Sequence, residues 1–394
     1  MQPIPYGKQQ ITEEDIQAVI QTLQSDFLTQ GPKIEEFETK FAHYIGCEYA
    51  VAVANGTAAL HLSVLALGVN EQSNVITTPI TFVASANCVR YGGGNVCFAD
   101  IDPATGLLDI EKVRELLESK PKGFFTGIVP VDFAGLPVDL EAFRQLADEF
   151  NLWLLEDACH APGGYFVDKI GQKQNCGNGK FADLAIFSFH PVKHIATGEG
   201  GMITTNNREL YDKLILLRTH GITKKPELLP PDKGGWYYEM QELGYNYRIP
   251  DILTALGISQ LQRADAGLQR RRQIAIRYDA AFRKEANLTI LNPAAYLADK
   301  TETGHAYHLY VIQVKNRRGL YDYLRQHQIY AQVHYIPVHT MPYYQRLGWK
   351  PGDFPAAENY YEHCLSLPMY PTLTEQEQEF VIHQIKTWLT NEAN

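Results

Sequence analysis

The chain has 394 residues, 45% hydrophobic and 20% charged, with a formal net charge of -10. That much apolar content excludes a largely disordered protein, which could not offset the entropy of ordering, and the length favours two domains. Net acidity argues against a broad surface for nucleic acid but leaves room for a local site for a small anion. No apolar run reaches the about 18 residues that cross a bilayer, so no membrane partner is expected. The first residues lack the basic-then-apolar pattern of a secretion signal. Six scattered cysteines with no C-x-x-C pair disfavour a disulfide scaffold or zinc ribbon and point to a reducing cytoplasm.

Residues 11–23, ITEEDIQAVIQTL, place apolar side chains at 11, 16, 19, 20 and 23, the spacing of an amphipathic helix, with Thr12 as N-cap and Asp15 as its acidic partner. Gly31-Pro32 breaks the chain ahead of a second helix at about 33–45. YAVAVANGTAALHLSVLAL then reads as a strand, a turn at Asn55-Gly56 and a helix from near Thr57. The same grammar repeats through NVITTPI and TFVASANCVRYG, NVCFADID and DIEKVRELLESK, GIVPVDF and DLEAFRQLADEF, and NLWLLEDA. Strands alternating with helices imply parallel pairing with helices on both faces.

A polar loop at about 163–180 follows, then two β-rich runs, DLAIFSFH and GGMITTN, and a helix over 205–217. The stretch 222–248, with four tyrosines and PELLPPDKGG, reads as loop. One long helical pattern runs from IPDILTALG to about 286, and the tail carries its own strand and helix signals. The expected fold is α/β: a large domain over 1–250 with a mainly parallel central sheet, and a smaller α+β domain over 251–394.

Three stretches carry chemistry. In IFSFHPVKHIATGEGGMITT, Lys193 lies in a loop between two β-rich runs. A partly desolvated lysine can lower its pKa and form an imine with a carbonyl. An isolated lysine is more often a solvated surface residue, but the glycine pair after it allows the backbone to pass close to something. Ser188, five residues earlier, offers a hydroxyl to an anion; its bland role is a bond to local backbone. Asp157 ends an apolar strand, at the carboxyl edge where parallel sheets bind ligands, and a carboxylate there can hold a pyridinium nitrogen protonated. Its plain alternative is a capping acid. Glu156 should point the other way. In Asn55-Gly56-Thr57-Ala58, free amides at a helix start can bind phosphate, although the motif alone is usually a turn with a cap. Phe82 could stack on a planar cofactor, where core burial is the commoner role. The histidine pairs His190/His194, His305/His308 and His334/His339 match no metal-site pattern, so no metal is expected.

Taken together, NGTAAL, TPITFVASAN, EDACHA, SFHPVKHIATGEGG and GYNYRIPD in this order resemble the fold-type I, pyridoxal phosphate (PLP)-dependent aminotransferases of the DegT/DnrJ/EryC1/StrS family. The resemblance covers essentially the whole chain. It implies PLP as cofactor, with Lys193 forming the Schiff base, Asp157 pairing with the pyridine nitrogen, His160 near the phenolic oxygen and Phe82 on the ring. It implies phosphate binding by Gly56, Thr57, Ala58 and Ser188, and a homodimer with shared sites in which Asn246 reaches the phosphate of the other subunit's cofactor. The implied partners are a nucleotide sugar and L-glutamate as amino donor.

The motif around Lys193, with HYIPVHTMPYYQRLG, looks most like the branch that aminates C4 of a UDP-linked 4-keto-6-deoxy-N-acetyl-L-altrosamine-type sugar on the route to pseudaminic acid. There the resemblance places substrate contacts at Tyr6 and His334. The chain departs from that branch at His194, where proline is usual, and in 163–180. Alternatives are an aminotransferase for a dTDP- or GDP-linked keto sugar, a sugar dehydratase of the same fold, in which histidine replaces the lysine, and a non-catalytic PLP-binding regulator.

Overall fold

The computed structural model describes residues 2–231, 233–291 and 304–393, which include every candidate site residue named above. Its centre is a seven-stranded sheet of β1 (Tyr49–Val53), β2 (Asn74–Thr77), β3 (Asn95–Phe98), β4 (Gly127–Val129), β5 (Trp153–Asp157), β6 (Leu184–Ser188) and β7 (Gly201–Thr205), in spatial order β1-β7-β6-β5-β4-β2-β3. The strands are near-continuous apolar runs because both faces are covered: Val51, Ile76, Ile128, Leu154, Leu155 and Ile186 are fully buried. Pairing is parallel from β6 through β3. β7 departs from the alternating pattern and runs antiparallel to both β1 and β6. It follows β6 through a loop with no helix, and an antiparallel return needs no crossover.

Nine helices precede the small sheet among the described residues: α1 (Glu13–Leu23), α2 (Pro32–Ile45), α3 (Gly56–Ala66), α4 (Ala84–Tyr91), α5 (Ile110–Glu118), α6 (Leu140–Phe150), α7 (Arg208–Arg218), α8 (Asp251–Leu261) and α9 (Ala264–Phe282). α1 is oriented opposite to the expectation from its apolar stripe. Ile11, Ile16, Ile20 and Leu23 are exposed, while Asp15 and Thr22 are buried. The polar side is drawn in by an ion pair: Asp15 accepts from Arg263 at 2.5 and 2.9 Å and from Gln260 at 2.9 Å. Thr12 and Asp15 form the expected capping box, in which the Asp15 carboxylate accepts the Thr12 amide at 2.9 Å. The expected single long helix breaks into α8 and α9 at Arg263 (φ -118°, ψ 17°), whose guanidinium turns onto Asp15.

The loop expected over 163–180 contains an antiparallel hairpin, Tyr165–Val167 with Lys173–Asn175. Within 222–248 the described residues form a two-residue ladder between Ile222–Thr223 and Glu239–Met240 and a 3-10 turn at Pro226–Leu228. C-terminal to α9, strands Thr289–Ile290, Tyr310–Gln313 and Cys364–Leu367 form an antiparallel sheet around a core that includes Tyr278, Phe282, Ile312, Leu324 and Ile385. Ile4–Pro5 pairs in parallel with Ile329–Tyr330, which holds the N-terminal segment against this region. The 334–363 segment is tied to the large sheet. The Val338 amide donates to Pro79, and Asp100 accepts the amides of Ala356 and Ala357 at the start of the helix Pro355–His363. These ties bring His334 and Tyr335 over the carboxyl edge of the sheet.

Candidate active site

Asp157 ends β5 at the carboxyl edge and is 4% exposed. A buried carboxylate needs donors, and two local ones serve it. The Ser85 hydroxyl on α4 donates to Oδ2 at 2.6 Å, and the Cys159 amide donates to Oδ1 at 3.2 Å. Ser85 is itself fixed by Thr81, 2.7 Å away one helical turn earlier. Glu156, next in the strand, faces away as expected, but into a second buried pocket rather than solvent: it accepts the Gly177 amide at 2.9 Å and lies with Asp132 and Cys176. Two buried carboxyls so close cannot both ionise. Burial raises both acids, Asp132 to about 6, and the Asp132 charge pushes Glu156 up further.

Lys193 lies in the tight loop after β6, where its amide donates to His190 at 2.8 Å. Burial pulls its ammonium below the usual lysine range, against the opposing pull of the Cys159 and Asp157 groups. A lysine whose ammonium is weakened by burial, near a carboxylate at a sheet edge, is equipped for imine formation and proton transfer.

The cradle beside it is built from close approaches. A Cβ on Gly56 would lie 3.0 Å from Ser188 Cβ and 3.3 Å from Ser188 Oγ, so the start of α3 lies against the end of β6. A Cβ on Gly201 would lie 2.5 Å from the Asn55 carbonyl oxygen, which gives the glycine run after Lys193 its reason: β7 passes directly under the turn that opens α3. Asn55 caps that helix by accepting the Ala58 amide at 2.8 Å. The first amides of a helix have no internal partner and carry the positive end of its dipole. Gly56 and Thr57 supply such amides, beside the hydroxyls of Thr57 and Ser188. This cradle, with Asp157 and Lys193, fits PLP: an anion site, an acid for a ring nitrogen and an amine for an aldehyde.

Aromatic and imidazole rings form the remaining wall. Phe82, 58% exposed, stands 6.4 Å from the Tyr335 ring. The Tyr335 hydroxyl lies 3.2 Å from His160 Nε2, and the Ala134 amide donates to His160 Nδ1 at 3.2 Å, which leaves the ring hydrogen on Nε2. The His160 ring lies 4.3 Å from that of His308, tilted by 36°, and His194 stands 5.8 Å from His308. Tyr6 lies 5.2 Å from His334, whose Nδ1 bonds Ser366 at 2.9 Å. Burial holds these imidazoles neutral, with His334 lowered to about 3 and His160, His194 and His308 well below the ordinary histidine value.

Of the sequence candidates, Gly56, Thr57, Ala58, Ser188, Asp157, Lys193, His160, Phe82, His334 and Tyr6 all lie along this edge and its overhang. Asn246 is exposed and bridged to Thr219, while its neighbour Tyr247 accepts the Ala54 amide next to the α3 turn. Sequence reasoning missed Ser85, Cys159 and Tyr335, and weighed His308 only as a metal ligand. Thr81 and Ser85, one turn apart in TFVAS, were the available signal for the first. Tyr335 lies in the HYIPVHTM motif, but nothing local pairs it with His160, which is 175 residues away.

The family model for the DegT/DnrJ/EryC1/StrS aminotransferase family matches residues 9–386. The spore coat polysaccharide biosynthesis protein SpsC of Bacillus subtilis is 38% identical over 97% of this chain and 96% of its own. A UDP-4-amino-4,6-dideoxy-N-acetyl-beta-L-altrosamine transaminase of Campylobacter jejuni is 37% identical over 96% and 95%. Among solved structures, Helicobacter pylori PseC, an aminotransferase of pseudaminic acid biosynthesis, superposes with a TM-score of 0.87 at 30% identity, covering 99% of this chain and 100% of that one. The PLP form of a putative sugar aminotransferase, Spr1654 of Streptococcus pneumoniae, superposes with a TM-score of 0.87 at 29% identity, covering 99% of each chain.

Proposed function

Because the chain belongs to the DegT/DnrJ/EryC1/StrS family of PLP-dependent sugar aminotransferases, we propose that it moves an amino group from L-glutamate to C4 of a nucleotide-linked 4-keto-6-deoxy sugar. The substrate we assign is a UDP-linked 4-keto-6-deoxy-N-acetyl-L-altrosamine-type sugar, made in the cytoplasm on a route to pseudaminic acid. The observation that carries the reading is Asp157 held at the carboxyl edge of β5 by Ser85 and the Cys159 amide, with the end of β6 at Ser188, five residues before Lys193, against the start of α3.

Bound PLP supplies an electron sink for the carbanion at the donor's Cα. Gly56, Thr57, Ala58 and Ser188 hold a phosphate. Asp157, kept in place by Ser85 and the Cys159 amide, pairs with a protonated ring nitrogen. Lys193 Nζ takes the Cα proton from the donor and returns a proton in the second half-reaction, so one base serves both and the kinetics are ping-pong. His160 would stand near the cofactor's phenolic oxygen, and Phe82 would cover its ring. Tyr6 and His334 meet the nucleotide sugar. Asn246 completes the site of a second subunit in a homodimer; its exposure and the exposed apolar side chains of α1 support such an assembly.

The test is amination of a panel of UDP-, dTDP- and GDP-linked 4-keto sugars with L-glutamate, read by mass spectrometry. Amination of the UDP-linked N-acetyl sugar supports the assignment. Product only from a dTDP or GDP sugar keeps the aminotransferase and refutes the substrate. Absence of any product, with a cofactor spectrum unchanged by glutamate, refutes turnover.

A further inference from the structure

Residues 333–337, which carry His334 and Tyr335 over the sheet edge, form neither helix nor strand, so their position depends on what holds them. One helix, Pro355–His363, and the strand Cys364–Leu367 that follows it without a break supply that hold. The buried Tyr360 donates its hydroxyl to the His334 carbonyl at 2.9 Å. Ser366 meets Nδ1 of the His334 ring at 2.9 Å and exchanges two backbone bonds with Gln332, at 2.7 and 3.1 Å. Glu358 accepts from His339 Nε2 at 2.9 Å. The helix that sets these groups has no cap of its own: its N-cap residue is Phe354, without a side-chain acceptor, and Pro355 has no amide hydrogen. Asp100, just beyond β3 of the large sheet, takes that place. Its two carboxylate oxygens accept the amides of Ala356 and Ala357, each at 2.9 Å, across 256 residues in the first case. A carboxylate on the free amides at the positive end of a helix dipole is a charge-assisted hold.

We propose that Asp100 and Tyr360 are positioning residues for this wall of the active site. Asp100 fixes the helix to the large sheet, and Tyr360 passes that fixed position on to His334 and Tyr335. For its effect on turnover the inference rests on the sugar aminotransferase reading. Among the described residues, neither side chain bonds to Lys193, Asp157 or His160, so each acts through what it holds. The margin is small. The Tyr335 hydroxyl lies 3.2 Å from His160 Nε2, and a displacement of about 0.4 Å takes such a contact out of hydrogen-bond range.

The first measurement is amide hydrogen exchange of holoenzyme, read by mass spectrometry over peptides that cover 331–341. In Tyr360→Phe and in Asp100→Ala, exchange there quickens about fivefold, the scale of one hydrogen bond, while β6 and β7 keep their protection. Asp100→Asn, which keeps an acceptor for the helix amides, falls between wild type and Asp100→Ala. Tyr360→Phe, which keeps the ring in place, decides the matter if Asp100→Ala is unstable. The second measurement is kcat/KM for the aminated keto sugar, which falls about fivefold in Tyr360→Phe. Because Tyr360 acts through Tyr335, adding Tyr360→Phe to Tyr335→Phe leaves the loss at about fivefold, well short of the about 25-fold of independent sites. Unchanged exchange over 331–341, a loss of protection spread evenly over the whole chain, or an additive pair of substitutions overturns the proposal. If no keto sugar is aminated while exchange over 331–341 alone still rises, the hold on the wall stands and the aminotransferase reading fails.

Discussion

The buried pair behind Asp157 makes a quantitative test of the site's electrostatics. Asp132 Oδ1 accepts the Val138 amide at 2.9 Å, Glu156 Oε2 accepts the Gly177 amide at 2.9 Å, and Asp132 Oδ2 has no donor. A proton on Glu156 supplies that donor. Glu156→Gln replaces the acid O–H with an amide N–H of the same shape, so it should cost less than about 1 kcal/mol at neutral pH. Glu156→Ala leaves the Gly177 amide and Asp132 Oδ2 unpaired, at about 1–3 kcal/mol each, and opens a cavity besides, for a total of about 3–6 kcal/mol.

The pH dependence separates the two charge states. Both acids titrate higher when folded than when unfolded, so between about pH 5 and 6 the native pair holds a proton that the unfolded chain has released. Their contribution is therefore fully present at low pH and is lost as pH rises, by about 1.4 kcal/mol per pH unit for one proton. The buried histidines act oppositely, because their folded values are depressed and stability is lost as pH falls. The difference between wild type and Glu156→Gln removes that background. Urea unfolding of holoenzyme from pH 4.5 to 7.5 should show the wild type's advantage shrinking as pH rises. A difference flat with pH, or Glu156→Gln as damaging as Glu156→Ala, would refute the shared proton.

Further predictions concern the site directly. Lys193→Ala should lower turnover by about 10³-fold, the scale of a lost general base, and abolish the near-visible absorbance of a lysine-bound cofactor; retention of that band removes Lys193 from the role. Because burial lowers the Lys193 pKa, the basic-group limb of the pH–rate profile should lie below the free-lysine value, with activity rising as the amine loses its proton; a limb at or above the free value contradicts this. Gly201→Ala forces a methyl to within 2.5 Å of the Asn55 carbonyl, and should cost about 3 kcal/mol and weaken cofactor retention, measured by dialysis and unfolding. Tyr335→Phe removes the hydroxyl bonded to His160 and should lower kcat/KM about fivefold, for about 1 kcal/mol; an unchanged kcat/KM means that the bond does not matter to the reaction.

What the sequence determined was whatever depends on neighbours along the chain. Alternating strands and helices, the Asn55 cap, the acid ending β5 and the lysine loop between β6 and β7 were all legible, because periodicity, capping and turn chemistry act over a few residues. The tertiary structure decided what depends on distant partners. Ser85 meets Asp157 across 72 residues, Tyr335 meets His160 across 175, and Arg263 reaches Asp15 across 248. The last contact shows how far such pairing can override a local pattern. The apolar stripe of α1 predicted a buried face, but a desolvated carboxylate must have its cation, and Arg263 and Gln260 lie on α8 and the residues that follow it. The helix therefore turns Asp15 inward and leaves Ile16, Ile20 and Leu23 on the surface. The cap that Asp100 places on the helix Pro355–His363 has the same origin, since 256 residues separate that carboxylate from the Ala356 amide that it holds.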